Sequence, residues 1–301
     1  MAAKQKKERY SIMSEPLKLE NERMVLVTNN PAGQMFSLFD KKNQQELLYQ
    51  ADQGWSGRNP SLFPMIGQTW KDGTYQWNGK TYQMKNHGLI RYENLDGKID
   101  GDSIVYTFDS NEETRSRYPF DFHFELRYTL LENGVKVSYA ITNTSDEMMP
   151  FSFGLHPAFK TAREGESFED FSVRFEPARE AEQIVFFADK SPIKREPVML
   201  DEWKCNYKDL ENYSTLVYVK IAADSATIVY KDTPRLKMGF EGYPSVALWN
   251  PGEGNTFICI EPWFGHTDFE KVEVPFDKRE GTMNLLPAET FNASYTVETL
   301  E

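Results

Sequence analysis

Apolar and polar positions alternate along most of this chain. Phe122, Phe124, Leu126 and Tyr128 take turns with His123, Glu125, Arg127 and Thr129. Successive side chains of a strand point to opposite faces, so such a run reads as a strand with one buried and one polar face. Val135, Val137 and Tyr139 repeat the pattern after Glu132-Asn133-Gly134. Asn and Gly both accept positive φ, which predicts a hairpin at that point. The runs MVLVTNN and QMFSLFD, between Met24 and Asp40, are parted by the turn-forming cluster Asn-Pro-Ala-Gly. Further strands are predicted at SIVYTFDS, FSVRFEP, STLVYVKI, ATIVYKD, LKMGFEG, SVALWNP, TFICIEPW and FNASYTVETL.

Almost no segment keeps a 3.6-residue apolar period over three turns. The stretch SPIKREPVMLDEWKCNYKDL has room for one helical turn near its end, and the loop NEETRSRYPF is expected to be irregular. No repeat, low-complexity tract or linker divides the 301 residues. The expected fold is all-β, a single-domain, large antiparallel β-sandwich over residues 1–301, with residues 1–14 as a flexible extension.

Composition narrows the partners. A net charge of −12 argues against nucleic acid, whose binding needs a basic face that releases counterions, and against an anionic membrane surface. The basic start, MAAKQKKERY, is not followed by an apolar segment, so no secretion signal is readable and a cytoplasmic protein is expected. No run approaches the ~18 apolar residues of a membrane span. Cys205 and Cys259 are far apart and form no CxxC, so neither a disulfide framework nor a zinc motif follows. The 21 Phe and 15 Tyr fill a core, and some of them suit a sugar cleft, because a pyranose presents an apolar C–H face.

Four segments break the alternation, and such breaks are expected where function overrides local pattern. GRNPSLFPMIGQTW is a shaped loop opened by Arg58, whose guanidinium fork suits sugar hydroxyls; a surface arginine over packed aromatics is the plainer alternative. In KNHGLIRYE, His87 precedes Gly88; alone, such a histidine is more often a turn residue. In MPFSFGLHPAFK an apolar strand runs into His156, and Pro157 biases that residue away from helix, so the strand should end there and leave the imidazole at a rim. Imidazole titrates near neutrality and suits proton transfer, although a histidine capping a strand end would look alike. In TFICIEPWFGHTDF an apolar strand leads to Glu261, and a carboxylate there is costly to bury unless it is used or paired. Trp263 beside it suits the face of a sugar ring. His123, in the polar register of its strand, reads as a surface residue.

Arg58 in RNPSLFPMIG, His87 in NHGLIR, His156 in GLHPAF and Glu261 in CIEPWFG, in that order, resemble the aldose 1-epimerase family, also called galactose mutarotases. YPFDFHFELRYTL and VKVSYAITNTSDEMMPFSFG extend the resemblance from about Leu17 to the last strand, and the EPW-G ending is similar to the bacterial LacX-like subgroup. The resemblance implies a galactose mutarotase-like supersandwich with an open cleft for one sugar. It implies that Glu261 is the general base for the anomeric hydroxyl, that His156 is the general acid for the ring oxygen, and that Arg58 and His87 hold the sugar. It implies no metal and no cofactor, a small-molecule sugar as partner, and a monomer or homodimer.

One departure concerns a further substrate-binding aspartate usual in the family. Its place falls in NYSTLVYV, which holds none, and neither Asp189 nor Asp209 upstream is assignable to it. Three other functions remain open on sequence. A hexose-6-phosphate 1-epimerase needs added cations, for which Arg91 and Arg58 are candidates, with Arg115 and Arg117 behind them. A non-catalytic carbohydrate-binding protein needs neither His156 nor Glu261 in particular. A metal-dependent isomerase using His87, His156, His266 and Glu261 lacks any close HxH or HxxxH pair.

Overall fold

Alternating runs such as Phe122–Leu131 do form strands in a computed structural model of the chain, which describes residues 15–52, 54–186 and 193–301. The 1–14 segment lies outside the described residues. A 15-stranded sheet dominates. It starts at Ser61–Leu62 and passes through Phe153–Leu155, Phe257–Phe264, Ser245–Trp249 and Leu216–Val219 to the long strand Phe171–Val185. From there it continues through Ser225–Tyr230, Thr233–Gly239, Thr290–Thr299, Gly134–Asn143, Phe122–Leu131 and Ser103–Asp109 to Asp96–Asp100. The pairings along this path are antiparallel.

The long strand is the turning point. Its first part, Phe171 to Glu176, pairs with Ser225–Tyr230, and its later part, Glu182 to Ile184, pairs with Leu216–Val219. Pro177, which has no N–H for a ladder, lies between the two, where the pairing with Lys194–Lys204 also shifts register. The two arms of the sheet then face each other. Phe153, near one end of the path, packs edge-on against Tyr139, near the other, with ring centroids 4.8 Å apart. Ser61 Oγ donates to the Tyr139 hydroxyl at 3.2 Å across the same gap. The architecture is therefore an antiparallel β-sandwich, and one hydrophobic core draws on residues from Met24 to Val297. A separate four-stranded sheet is built from Leu17–Glu20, Met24–Asn29, Gln34–Asp40 and Gln45–Glu46.

Local expectations hold with three adjustments. The helical turn expected late in the 191–210 stretch is the α-helix Tyr207–Tyr213. The loop around Arg115 and Arg117 is instead a short α-helix, Glu112–Arg117, because Asn111 and Thr114 form a reciprocal capping box. The hairpin expected at Asn133-Gly134 exists, but neither residue takes positive φ, and Gly134 already pairs with Leu131. Gly134 is needed for closeness: a Cβ there would meet the Val297 carbonyl oxygen at 1.9 Å. Among the described residues no helix is long and apolar enough to cross a membrane.

Candidate active site

His156 and Glu261 come together through strand register. Phe153–Leu155 and Ala158–Lys160 both pair with Phe257–Phe264, on either side of an interruption at His156-Pro157. Phe153 lies opposite Phe264 and Ala158 opposite Cys259, so the register is unchanged across the break and sets His156 directly across from Glu261. The strand thus resumes after His156 rather than ending at a rim, and Glu261 sits within its strand rather than at its end. His156 Nε2 is 3.5 Å from Glu261 Oε1, and both side chains are buried. Across the other edge of the Glu261 strand stands the small Ala247.

The pair floors a cleft of about 400 Å3, a size suited to a small polar ligand. Trp55 stacks on the His156 ring with centroids 4.7 Å apart, and Trp249 meets that ring edge-on at 5.6 Å. Phe186 and Phe269, themselves in contact at 4.7 Å, form another part of the wall. Asn86, Gln68, Thr215 and Thr267 add hydrogen-bonding groups. A larger cavity of about 530 Å3 lies between the segment 69–79 and residues 272–279, but it contains neither member of the acid–base pair.

His87 is pinned by its neighbours. It takes a left-handed backbone, φ 63°, before Gly88 at φ 82°, where a Cβ would lie 2.3 Å from the Phe63 carbonyl oxygen. The His87 N–H donates to the Gly67 carbonyl at 2.7 Å, and His87 Nδ1 accepts from the Gly67 N–H at 3.1 Å. That bond assigns the proton of the neutral ring to Nε2, as a donor on the cleft wall. Desolvation, helped by the Arg91 charge, lowers the His87 pKa to about 3.

Burial dominates the electrostatics of the pair. It pushes the Glu261 carboxyl well above the usual carboxylate range, against the Arg91 charge and the Trp263 indole N–H. It pushes His156 well below the usual imidazole range, with His87 and Arg91 adding to the effect. Both shifts disfavour charge, so a single proton shared within the pair leaves the floor neutral.

The residues expected from sequence divide. His156, Glu261, His87 and Trp263 all line the cleft. Trp263 is almost wholly buried, donates its N–H to the Leu155 carbonyl at 3.3 Å and packs with Leu62, Ile66 and Val217, so little of its face is free for a sugar. Arg58 is not among the lining residues. Its guanidinium lies over the Phe36 ring, 4.6 Å from the centroid, and its Nη1 approaches the Phe36 carbonyl at 3.5 Å. Stacking on that ring and the Phe36 carbonyl hold it there, as the plainer reading of its sequence allowed. Arg91, in the 3-10 turn Ile90–Tyr92, takes the place expected of it, and among the described residues it makes no ion pair. Arg115 and Arg117 are held by Asp121 and by Glu93 and Glu113.

Asp209 lies in the first turn of the helix Tyr207–Tyr213, which Asn206 caps, and it accepts from Trp203 Nε1 at 3.0 Å and Asn206 Nδ2 at 2.8 Å. Asp189 lies outside the described residues. Thr215, from NYSTLVYV, lines the cleft instead. His123 is a surface residue paired with Asp109 at 2.8 Å. His266 turns its Nδ1 to the Thr267 carbonyl and lines a different hollow. It joins no metal-ligand cluster with His87; the one such group among the described residues is His156, Cys259 and Glu261, with ligand atoms within 4.8 Å of one another. Trp55, Trp249 and Cys259 carried no sequence signal of a role, since isolated aromatic and thiol residues read as core.

A family model described as aldose 1-epimerase matches residues 16–297. The chain is 27% identical to the chromosomal protein LacX of Lactococcus lactis, over 94% of this chain and 99% of that protein. It is similar in structure to a galactose mutarotase related enzyme from Lactobacillus acidophilus, with TM-score 0.87 and 25% identity over 95% of this chain and 97% of that one. A galactose mutarotase-like protein from Lactobacillus casei shares the fold at TM-score 0.82 and 23% identity, covering 94% and 99%.

Proposed function

The chain belongs to the aldose 1-epimerase family, and we propose that it is a mutarotase interconverting the α and β anomers of a free hexose such as galactose or glucose. The observation that carries this reading is the buried His156–Glu261 pair, 3.5 Å apart on the floor of a sugar-sized cleft. Anomer exchange needs one proton taken from the anomeric hydroxyl and one given to the ring oxygen. Glu261 takes the first and protonated His156 gives the second. The ring opens, the aldehyde rotates about the bond between its first two carbons, and reverse transfers close the ring as the other anomer. In the open-chain state the proton is on Glu261 and His156 is neutral, so the pair holds one proton when the ring is closed and one when it is open. The net charge of a dry floor never changes, which avoids the large penalty of isolated buried charge.

Arg91 favours the carboxylate form of Glu261, and the Nε2–H of His87 is a ready donor to a sugar oxygen. Trp55 and the Phe186–Phe269 pair offer apolar surface for the ring's C–H face. Arg91 is the one Lys or Arg lining the cleft among the described residues. A phosphate dianion is served better by several cations, which supports a neutral sugar. Polarimetry on freshly dissolved α-glucose and α-galactose, beside NMR exchange on glucose 6-phosphate, tests the proposal. Faster mutarotation of a free hexose is expected. Turnover of the phosphorylated sugar alone would overturn the neutral substrate, and no acceleration of any sugar would leave a carbohydrate-binding protein.

A further inference from the structure

Cys259 lies beneath the acid–base pair, and the proton chemistry makes no use of it. It is fully buried and shares its strand with Glu261 two residues on, so both side chains leave the same face. The small Ala158 stands opposite Cys259, as His156 stands opposite Glu261. One face of two neighbouring strands therefore presents an imidazole, a thiol and a carboxylate, with one ligand atom from each inside 4.8 Å of the others.

We propose that this trio is a site for a single thiophilic divalent cation of the Zn2+ class, and that the bound ion switches the cleft off. Tetrahedral bonds of about 2.0–2.1 Å to nitrogen and oxygen set those ligand atoms roughly 3.4 Å apart. His156 Nε2 and Glu261 Oε1 already stand 3.5 Å apart, longer than a good hydrogen bond between them. Among the described residues His156 Nδ1 is buried without a hydrogen-bond partner, so none of them commits the ring elsewhere through that nitrogen. Thiolate, imidazole and carboxylate together make a zinc-type donor set, and the fourth position opens to the cleft for water or a sugar hydroxyl.

Charge supports the exchange. The thiol carries one proton and the His156–Glu261 pair shares another. Entry of one divalent ion expels both protons to solvent and leaves the floor with the net charge it had before. His156 and Glu261 line the cleft, so the ion enters from the side the sugar uses. Once ligated, neither group can accept or deliver a proton. Binding does not rest on the mutarotase reading; only the loss of activity does.

The test has two arms. In the first, Co2+ is titrated into the natural chain and into Cys259→Ala and Cys259→Ser, each checked for native circular dichroism. A thiolate-to-cobalt charge-transfer band, with tetrahedral d–d absorption at one ion per chain, is expected in the natural chain and absent from both variants. A natural chain without the band, or variants that keep it, overturns the proposal. In the second, Zn2+ is titrated against mutarotation of the natural chain and of each variant, with EDTA reversal. Each variant, whatever its own rate, is expected to need at least about tenfold more Zn2+ for half inhibition, the lower end of what even outer-shell partners contribute. Equal sensitivity overturns the inhibitory role. If the cobalt band appears but no sugar is turned over at all, the proposed function fails and the cation site stands.

Discussion

His156 stands directly across from Glu261 on neighbouring antiparallel strands, Nε2 to Oε1 3.5 Å, because one register holds on both sides of the Pro157 break. The pairing fixes the separation of the two proton carriers through backbone ladders rather than through flexible loops. It also makes Glu261 testable with little risk to the fold, since glutamine has the same shape.

Glu261→Gln keeps the hydrogen-bonding outline but removes the proton acceptor. Mutarotation is expected to fall by about 10²–10⁴-fold, the usual worth of general acid–base help, with sugar affinity by calorimetry retained. A variant that keeps more than about a tenth of the natural rate would show that Glu261 is not the base.

Arg91→Gln and Arg58→Gln separate the two arginines. Arg91 lines the cleft and favours the Glu261 carboxylate, whereas Arg58 stacks on Phe36 outside it. Loss of a charge-assisted contact of about 1.5–3 kcal/mol predicts a fall in kcat/KM of roughly 10–100-fold for Arg91→Gln. Arg58→Gln should stay within about threefold, as expected when no charge-assisted contact to the sugar is lost. The opposite ranking in steady-state assays would return the sugar-binding role to Arg58.

His87 links stability to pH. Its folded pKa of about 3 lies below the ordinary 6.5, so the unfolded chain binds the extra proton first. Stability is then full above pH 6.5 and is lost as pH falls from there toward 3. Asparagine tolerates the left-handed backbone at φ 63° and can accept from the Gly67 N–H. His87→Asn should therefore lose less stability between pH 7 and pH 5 than the natural chain in urea denaturation. An unchanged or steeper pH slope would contradict a buried, neutral His87.

Asp268 and Arg279 form a half-buried ion pair, and Asp268 Oδ2 also accepts the Trp70 N–H at 2.8 Å. The same loop is zipped to the opposite cleft wall by Gln68 N–H to Thr267 Oγ1 at 3.0 Å and by Asp268 N–H to the Gln68 carbonyl at 3.2 Å. Asp268→Asn leaves Arg279 without its counter-charge and should destabilise by about 1.5–3 kcal/mol, the worth of a charge-assisted contact. Because Gln68 and Thr267 line the cleft, KM should rise more than kcat falls. Unchanged denaturation and KM would remove the loop tie as a determinant of cleft shape.

Much of this molecule is written in local pattern. Period-2 alternation marks strands from Met24 to Thr299, because burial of one strand face is a property of a few adjacent residues. His156 and Glu261 stood out for the same reason: each is polar in a run that is otherwise apolar. Local pattern misplaced them only in detail, reading strand ends where the structure has an interruption and a strand interior. Arg58 lies outside the cleft lining because a shaped loop does not reveal which way a long side chain turns, and the Phe36 ring holds it.

By itself, then, the sequence determined the strand-built architecture, the family and the proton-carrying residue types. Tertiary structure alone decided that His156 faces Glu261, that Arg91 rather than Arg58 bears on them, and that Cys259 lies beneath. The reason is physical. Which side chains alternate is a local matter, but which strands pair, and in what register, is settled by packing between segments far apart in the chain. The sign and size of a pKa shift follow only once burial and neighbouring charges are in place.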